Sequence, residues 1–353
     1  MLKNKRALAK VSVIGHFGEG LNLLNGQTVK TKIITEELSE ELGKNEVVKF
    51  DTHGKFAIIK APFIAFSALK KAKNVLIFPA HNGVRVYAPL LVFFRRFFSK
   101  RKLHYSIVGG WLPKMLEKKK GLLKTLKRFD GLYAETETLK KKLNDLGLCN
   151  VSVVPNCKNL EILTKEQLVY QSGEPYKLCT FSRVMKEKGI EDAVTAVKAV
   201  NEQTGRIVYT LDIYGQVDSG ETEWFENLKS DFPEYVKYKG EVGYDKSTEV
   251  LKNYFTLLFP TRFYTEGVPG TIIDAYAAGI PVVSARWESF SDIVDDGVTG
   301  FGYEFENVSD LTRRLVAMAE NPETVNKMKA DCLKKRNKYL PSNAIKPLTD
   351  NLE

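Results

Sequence analysis

Cysteine is scarce and scattered. Cys149, Cys157, Cys179 and Cys332 show no Cys-x-x-Cys spacing, which argues against a zinc site or a disulfide framework and fits a reducing compartment. No run of eighteen apolar residues occurs, so no stretch reads as a membrane-spanning helix. The basic start is followed by an apolar stretch broken at Gly15 with no cleavage pattern, so we expect no secretory signal. Solenoid-length repeats and low-complexity tracts are missing too. What is there is ordinary for a soluble globular chain, 43% hydrophobic and 27% charged over 353 residues, a length that suggests two domains with separate cores.

The net charge of +10 is concentrated in one place. From Arg95 to Arg128 there are twelve Lys or Arg against one acid, Glu117, so the rest of the chain is close to neutral. A single basic zone implies a localised anionic partner. Two amphipathic segments occupy it. Tyr87–Lys100 places Leu90, Leu91, Phe94, Phe97 and Phe98 on one helical face beside Arg95, Arg96 and Lys100, either as core or as a face for a membrane interface. Leu112–Arg128, with a possible break at Gly121, carries Leu112, Met115, Leu116, Leu122, Leu123 and Leu126 at helical spacing, with lysines between them that include Lys118, Lys119 and Lys120. An anionic leaflet attracts such cations by about 1 kcal/mol each; a solvated lysine face is the alternative.

Strand and helix patterns alternate along both halves, the signature of an α/β fold. The first strand, about Ala7–Ile14, ends in Gly15-His16-Phe17-Gly18-Glu19-Gly20, and a helix follows from Thr28. Its glycine order, G-x-x-G-x-G, is not the dinucleotide fingerprint. His81 and Asn82 follow the strand Val75–Phe78, and Gly109-Gly110-Trp111 follows Leu103–Val108, both at strand ends where open sheets place ligands. The boundary falls at Ser172–Pro175, giving a first domain at 1–156, a linker at 157–175, a second domain at 176–338 and a tail at 339–353 that crosses back to the first.

In the second half the strand Lys177–Phe181 leads to Arg183 and Lys188, a planar fork and a point charge suited to a diphosphate. The most informative stretch is Phe255–Ala285: a buried strand, a loop rich in Gly and Pro, a helix from about Thr271, a stop at Gly279 and a second buried strand. Glu266 lies in the loop and Asp274 in the helix's first turn, flanking Gly267-Val268-Pro269-Gly270, whose amides and helix start form an anion cradle. Two acids around a phosphate site match a sugar nucleotide, which has diols at both ends. The bland alternative is a solvated loop acid and an acid offsetting a helix dipole.

The Arg183 and Lys188 loop, Glu266 with Asp274, and Asp296-Gly-Val-Thr-Gly300 together resemble the donor-binding domain of GT-B glycosyltransferases, in particular the retaining family 4. The opening GHFGEGLNLLNGQTVKTK and the later VGGWLP are similar to bacterial transferases that build capsular or other surface polysaccharides. The resemblance runs from Val11 to Leu340 and implies two Rossmann-like doubly wound domains facing each other across a cleft, acceptor-binding first and donor-binding second.

By the same resemblance Arg183 and Lys188 grip the donor diphosphate, and Glu266 faces the donor sugar. Gly267 to Thr271, with Gly215, Gly240 and Val242 at strand ends, complete the donor pocket, and Asp274 takes the ribose diol in place of the family's usual Glu. Gly15, His16, Gly18, His81, Asn82, Gly110 and Trp111 line the acceptor side; the histidine that many members carry after the fourth strand is absent, leaving His16 or His81 to supply one. The implied reaction needs no metal or other cofactor, and the chain has no Asp-x-Asp pair. The implied partners are a nucleotide-sugar donor (UDP being commonest), a glycan or polyprenyl-diphosphate-linked glycan acceptor, and an anionic membrane surface on the cytoplasmic side. A nicotinamide-dependent oxidoreductase would also have two α/β domains, against the glycine order. A nucleic-acid binder would use the basic zone, but its aromatics fall at core-facing spacing.

Overall fold

The computed structural model describes residues 7–18, 20, 26–54, 57–161, 163–243 and 245–352. Glu19 and residues 21–25 of the first glycine loop, and the basic first six residues, lie outside the described residues. The chain divides into two units: residues 1–159 with 339–353, and residues 160–338.

The first unit runs β1 (Ala9–Gly15), α1 (Gly26–Leu42), β2 (Val47–Asp51), α2 (Ala57–Lys71), β3 (Ala72–Ile77), α3 (His81–Phe94), β4 (Lys102–Ser106), α4 (Leu112–Lys118), α5 (Lys120–Leu126), β5 (Gly131–Ala134), α6 (Glu137–Asp145) and β6 (Val151–Val153). Its strands form one parallel sheet in the order β2-β1-β3-β4-β5-β6. β1 and β3 are buried along nearly their whole length, as a parallel sheet covered on both faces requires.

The second unit runs β7 (Tyr176–Phe181), α7 (Ile190–Thr204), β8 (Tyr209–Tyr214), α8 (Thr222–Ser230), β9 (Val236–Gly240), α9 (Ser247–Leu251), β10 (Thr256–Phe259), α10 (Gly270–Ala277), β11 (Val282–Ala285), α11 (Phe290–Ile293), β12 (Gly300–Tyr303), α12 (Val308–Glu320) and α13 (Pro322–Arg336). Its sheet, also parallel, has the order β12-β11-β10-β7-β8-β9. In each sheet the order in which strands are added reverses once, between β1 and β3 in the first and between β7 and β10 in the second. At such a switch point neighbouring loops diverge and leave a crevice at the strands' C-terminal ends.

Several sequence expectations change. Residues 157–175 are no free linker. Cys157 is buried in the first unit, whereas Leu163 and Leu168 are buried in the second and Gln171 bonds to Asn253 and Asn326. The tail forms two short helices, α14 (Pro341–Ala344) and α15 (Lys346–Thr349), and buries Ala344, Ile345, Leu348 and Leu352 against the first unit's core. The helix expected over Tyr87–Lys100 instead spans His81–Phe94 and tightens into a short 3-10 turn at Arg95–Phe97. That turn breaks the 3.6-residue spacing, so Leu91 is buried while Phe97 is 68% exposed. The next segment breaks at Lys119, not Gly121, and its Leu112, Leu116, Leu122 and Leu126 are core. Lys118, Lys119 and Lys120 are thus a solvated fringe on a packed pair of helices.

The interior of the first sheet holds a titratable group. His104 on β4 is 1% exposed, with Nδ1 3.0 Å from the Tyr133 hydroxyl and Nε2 3.1 Å from Asn74 Oδ1. Burial pushes its pKa down from 6.5 to about 4. Below its ordinary pKa the unfolded chain takes up a proton that the folded chain refuses, so stability is lost as pH falls from the unfolded value toward the folded one. Urea unfolding should show the protein losing about 2 kcal/mol from this residue between roughly pH 7 and roughly pH 5, and His104→Gln should flatten that dependence.

Candidate functional site

The crevice at the second unit's switch point is built by three loops, and glycines let them close on one another. A Cβ at Gly189, whose φ is 67°, would stand 1.8 Å from the Pro260 carbonyl oxygen, so the β7–α7 loop lies directly on the loop after β10. A Cβ at Gly215, φ 132°, would stand 1.8 Å from the Ser182 carbonyl oxygen, bringing the end of β8 onto the end of β7. Both positions combine a left-handed backbone with no room for a side chain.

Across the Gly189 contact Lys188 meets Glu266. Lys188 Nζ lies 3.1 Å from Oε1 and 3.0 Å from Oε2, with the side chains 16% and 19% exposed. Thr261 Oγ1 donates to the same carboxylate at 3.3 Å. The ammonium also sits over the rings of Phe259 and Phe263, at 5.5 and 5.1 Å. Arg262, between these residues, forks onto Asp192 of α7 at 2.6 and 3.0 Å, and its N–H donates to the Glu187 carbonyl at 2.8 Å. Hydrogen bonding to Asp192 raises the Arg262 pKa further, so this strut is permanently charged. Neither Arg262 nor Asp192 stood out in the sequence, where an Arg after a strand and an Asp in a helix's first turn are unremarkable.

The start of α10 completes the crevice. Pro269 precedes the helix and no side chain caps it; the amides of Ile272 and Ile273 turn back to the Pro269 carbonyl. Gly270 and Thr271 then present the open amides that a helix start offers to an anion. The Thr271 hydroxyl is buried with no partner among the described residues, an arrangement a ligand oxygen would satisfy. Gly267 leads into this turn and Val268 is buried beneath it. Gly240 and Val242 lie at the end of β9, where Gly215 N donates to the Gly240 carbonyl at 2.9 Å.

Three of the sequence's candidates have partners other than the Lys188–Glu266 pair. Asp274 stands in the second turn of α10, is 2% exposed, and accepts the Ser247 hydroxyl hydrogen at 3.0 Å. It ties α9 to α10 and is closed to a ribose in this conformation. Arg183 is half-exposed and points to Asp218 in the loop after β8, 3.3 Å away, rather than joining Lys188. The Asp296–Gly300 turn lies before β12, at the opposite rim of the parallel sheet from the crevice; Asp296 pairs with Arg286 and accepts from Gly302 N, a structural role.

In the first unit the loops after β1 and β3 flank the other switch point. His16 Nδ1 lies 2.8 Å from Thr28 Oγ1, and its Nε2 lies 2.9 Å from Nδ1 of His53, a residue the sequence reading passed over. Burial and then the His53 charge lower the His16 pKa. Gly15 admits α1, since a Cβ there would reach Thr31 at 2.5 Å; Gly18 has φ 56°. His81 at the start of α3 stacks on Trp111 at 3.8 Å, next to Gly110, and Asn82 is exposed beside it. The turn carrying Trp111 is held by Glu135, which accepts the Gly109 N–H at 3.3 Å and pairs with buried Lys30 at 2.7 Å. Among the described residues no three His, Cys, Asp or Glu side chains gather as metal ligands would.

Two parallel, doubly wound six-stranded sheets, the second with a cation, an acid and an open helix start at its switch point, define the GT-B fold. Residues 175–321 match the family described as Glycosyl transferases group 1. Over 137 residues the chain is 24% identical to the amylovoran biosynthesis glycosyltransferase AmsK of Erwinia amylovora, a stretch covering 36% of this chain and 32% of that relative's length. Among solved structures, HepE of Anabaena with UDP and glucose superposes with a TM-score of 0.70 at 14% identity, covering 98% of this chain and all of that one. The lipopolysaccharide outer core galactosyltransferase WaaB in its apo form gives 0.71 at 17% identity, covering 97% and 98%.

Proposed function

We propose that this chain is a retaining glycosyltransferase of the family 4 kind that moves a sugar from a nucleotide diphosphate sugar, a UDP-sugar, to a growing surface polysaccharide or a polyprenyl-diphosphate-linked glycan. It works without a metal, on the cytoplasmic face of the membrane. The observation that carries the reading is the Lys188–Glu266 contact at the β7/β10 switch point, beside the open start of α10 and the unpartnered Thr271 hydroxyl.

Departure of UDP puts negative charge on the β-phosphate. Lys188 and the Gly270 and Thr271 amides supply fixed positive potential there, the kind of preorganised stabilisation that lowers such barriers most. Glu266, held by Lys188 and Thr261, is placed to accept a donor-sugar hydroxyl hydrogen. Arg183, half-exposed and paired with Asp218 at 3.3 Å, serves as the second phosphate contact once that exposed pair opens. If the acceptor hydroxyl attacks on the face that UDP leaves, the departing phosphate oxygen takes its proton and no side-chain nucleophile is needed. HepE was solved with UDP and glucose, and the names of AmsK and WaaB concern glycan assembly; both support this choice of donor and acceptor.

A thermal-shift panel of UDP, GDP, ADP, CMP and TDP in chelator tests it. UDP at a hundred times its dissociation constant should add about 2.7 kcal/mol of stability, with the same gain when magnesium is restored. No stabilisation by any nucleotide would remove the reading.

A further inference from the structure

The helix α2 carries large apolar side chains on more than one face, yet only one side of it is covered. Ala61, Ile64, Ala65, Ala68 and Leu69 are buried against the sheet, while Ile58 (70% exposed), Ile59 (76%), Phe63 (75%) and Phe66 (39%) face out. Ile59, Phe63 and Phe66 fall four and three residues apart, one stripe of the helix. The stripe continues onto the end of α3, because Phe66 packs edge-on against Phe94 and Phe98, and Phe93 (50%) and Phe97 (68%) stand exposed beside them. A soluble surface rarely gathers so many large apolar side chains in one place without a partner.

The charge around the stripe says what the partner is. From Thr52 to Leu116 the chain contains no Asp or Glu and twelve Lys or Arg. Lys60, Lys70 and Lys71 are exposed along α2, Arg96 lies over the Phe93 ring at 5.7 Å, and Lys100 is exposed just beyond it. An aliphatic and aromatic ridge flanked by exposed lysines and arginines is complementary to acyl chains beneath anionic headgroups. We infer that Ile58, Ile59, Phe63, Phe93 and Phe97 insert into an anionic lipid surface, with Lys60, Lys70, Lys71, Arg96 and Lys100 at headgroup level. This rests on the proposed work at a membrane and moves its contact from Lys118–Lys120, which sit on packed helices, to α2 and the end of α3.

Co-sedimentation of the full chain with vesicles of phosphatidylcholine alone, or mixed equally with phosphatidylglycerol, tests this. The wild type should bind the anionic vesicles, and Ile59→Glu with Phe63→Glu should weaken binding about tenfold or more. Changing Lys118, Lys119 and Lys120 together to Gln should cost less than that. A Phe63→Trp variant should show a blue-shifted emission on adding anionic vesicles. Stabilisation by UDP, measured on the same proteins, separates the two proposals: the double Glu variant keeps it, and its loss in the wild type would strike the transferase reading without touching this one. Equal vesicle binding by wild type and double Glu variant would overturn the inference. So would a wild-type dimer that the double Glu variant converts to monomer with no vesicle binding, since the ridge would then serve a second copy.

Discussion

Replacing Lys188 by alanine is expected to lower kcat/KM for sugar transfer by about ten- to a hundred-and-fiftyfold, the equivalent of one hydrogen bond to a charged group at roughly 1.5 to 3 kcal/mol. The ammonium is 16% exposed between the rings of Phe259 and Phe263, so little water can replace it. Its loss removes positive charge from the phosphate site and also releases Glu266, which keeps only Thr261 of the contacts described above. Both changes act on the transition state, so kcat should fall along with kcat/KM. Lys188→Arg should rescue poorly, because the two rings box in a compact ammonium and a guanidinium is broader. Half-exposed Arg183, by contrast, has its own partner in Asp218, and Arg183→Ala should act more on KM than on kcat. Steady-state kinetics with the nucleotide sugar that the stability panel selects would decide; an unchanged kcat in Lys188→Ala would remove this residue from the mechanism.

How far the sequence speaks depends on whether a feature is local. The β10–loop–α10–β11 unit was legible because glycine and proline punctuate two short apolar runs, and the observed limits Thr256–Phe259, Gly270–Ala277 and Val282–Ala285 follow that punctuation closely. Depth was not legible: the spacing of Glu266 and Asp274 says they lie on one segment, whereas only packing shows one at the crevice and the other sealed beneath Ser247. Pro62 reads as a breaker in a sequence, yet α2 carries it one turn in. The exposed ridge begins on that helix, upstream of the basic zone that starts at Arg95, because exposure, unlike charge, is not written in the sequence. Gly189 gave no sign of its importance, because a glycine opening a helix is common and the Pro260 carbonyl it admits is far along the chain.

The largest stability effect should come from a pair equally invisible in sequence. Lys30 on α1 is fully buried, 2.7 Å from Glu135 after β5 and 3.1 Å from the Ile107 carbonyl after β4, so one ammonium links three elements. Glu135 in turn holds the Gly109 N–H at the head of the turn that carries Trp111, whose ring stacks on His81. Lys30→Met would preserve most of the side chain's volume while removing the cation beside a carboxylate that is only 4% exposed. Breaking one partner of such a pair costs about 3 to 5 kcal/mol, a large share of the roughly 5 to 15 kcal/mol that keeps a domain folded. Chemical denaturation should show that loss, and Glu135→Gln alone should show a similar one. The double variant Lys30→Met with Glu135→Gln should recover much of it, because two neutral groups no longer demand a counter-charge, and that non-additivity is the signature of a direct pair. Losses that simply add would mean that each residue is held by its other contacts, with the Gly109–Trp111 turn then depending on something other than this pair.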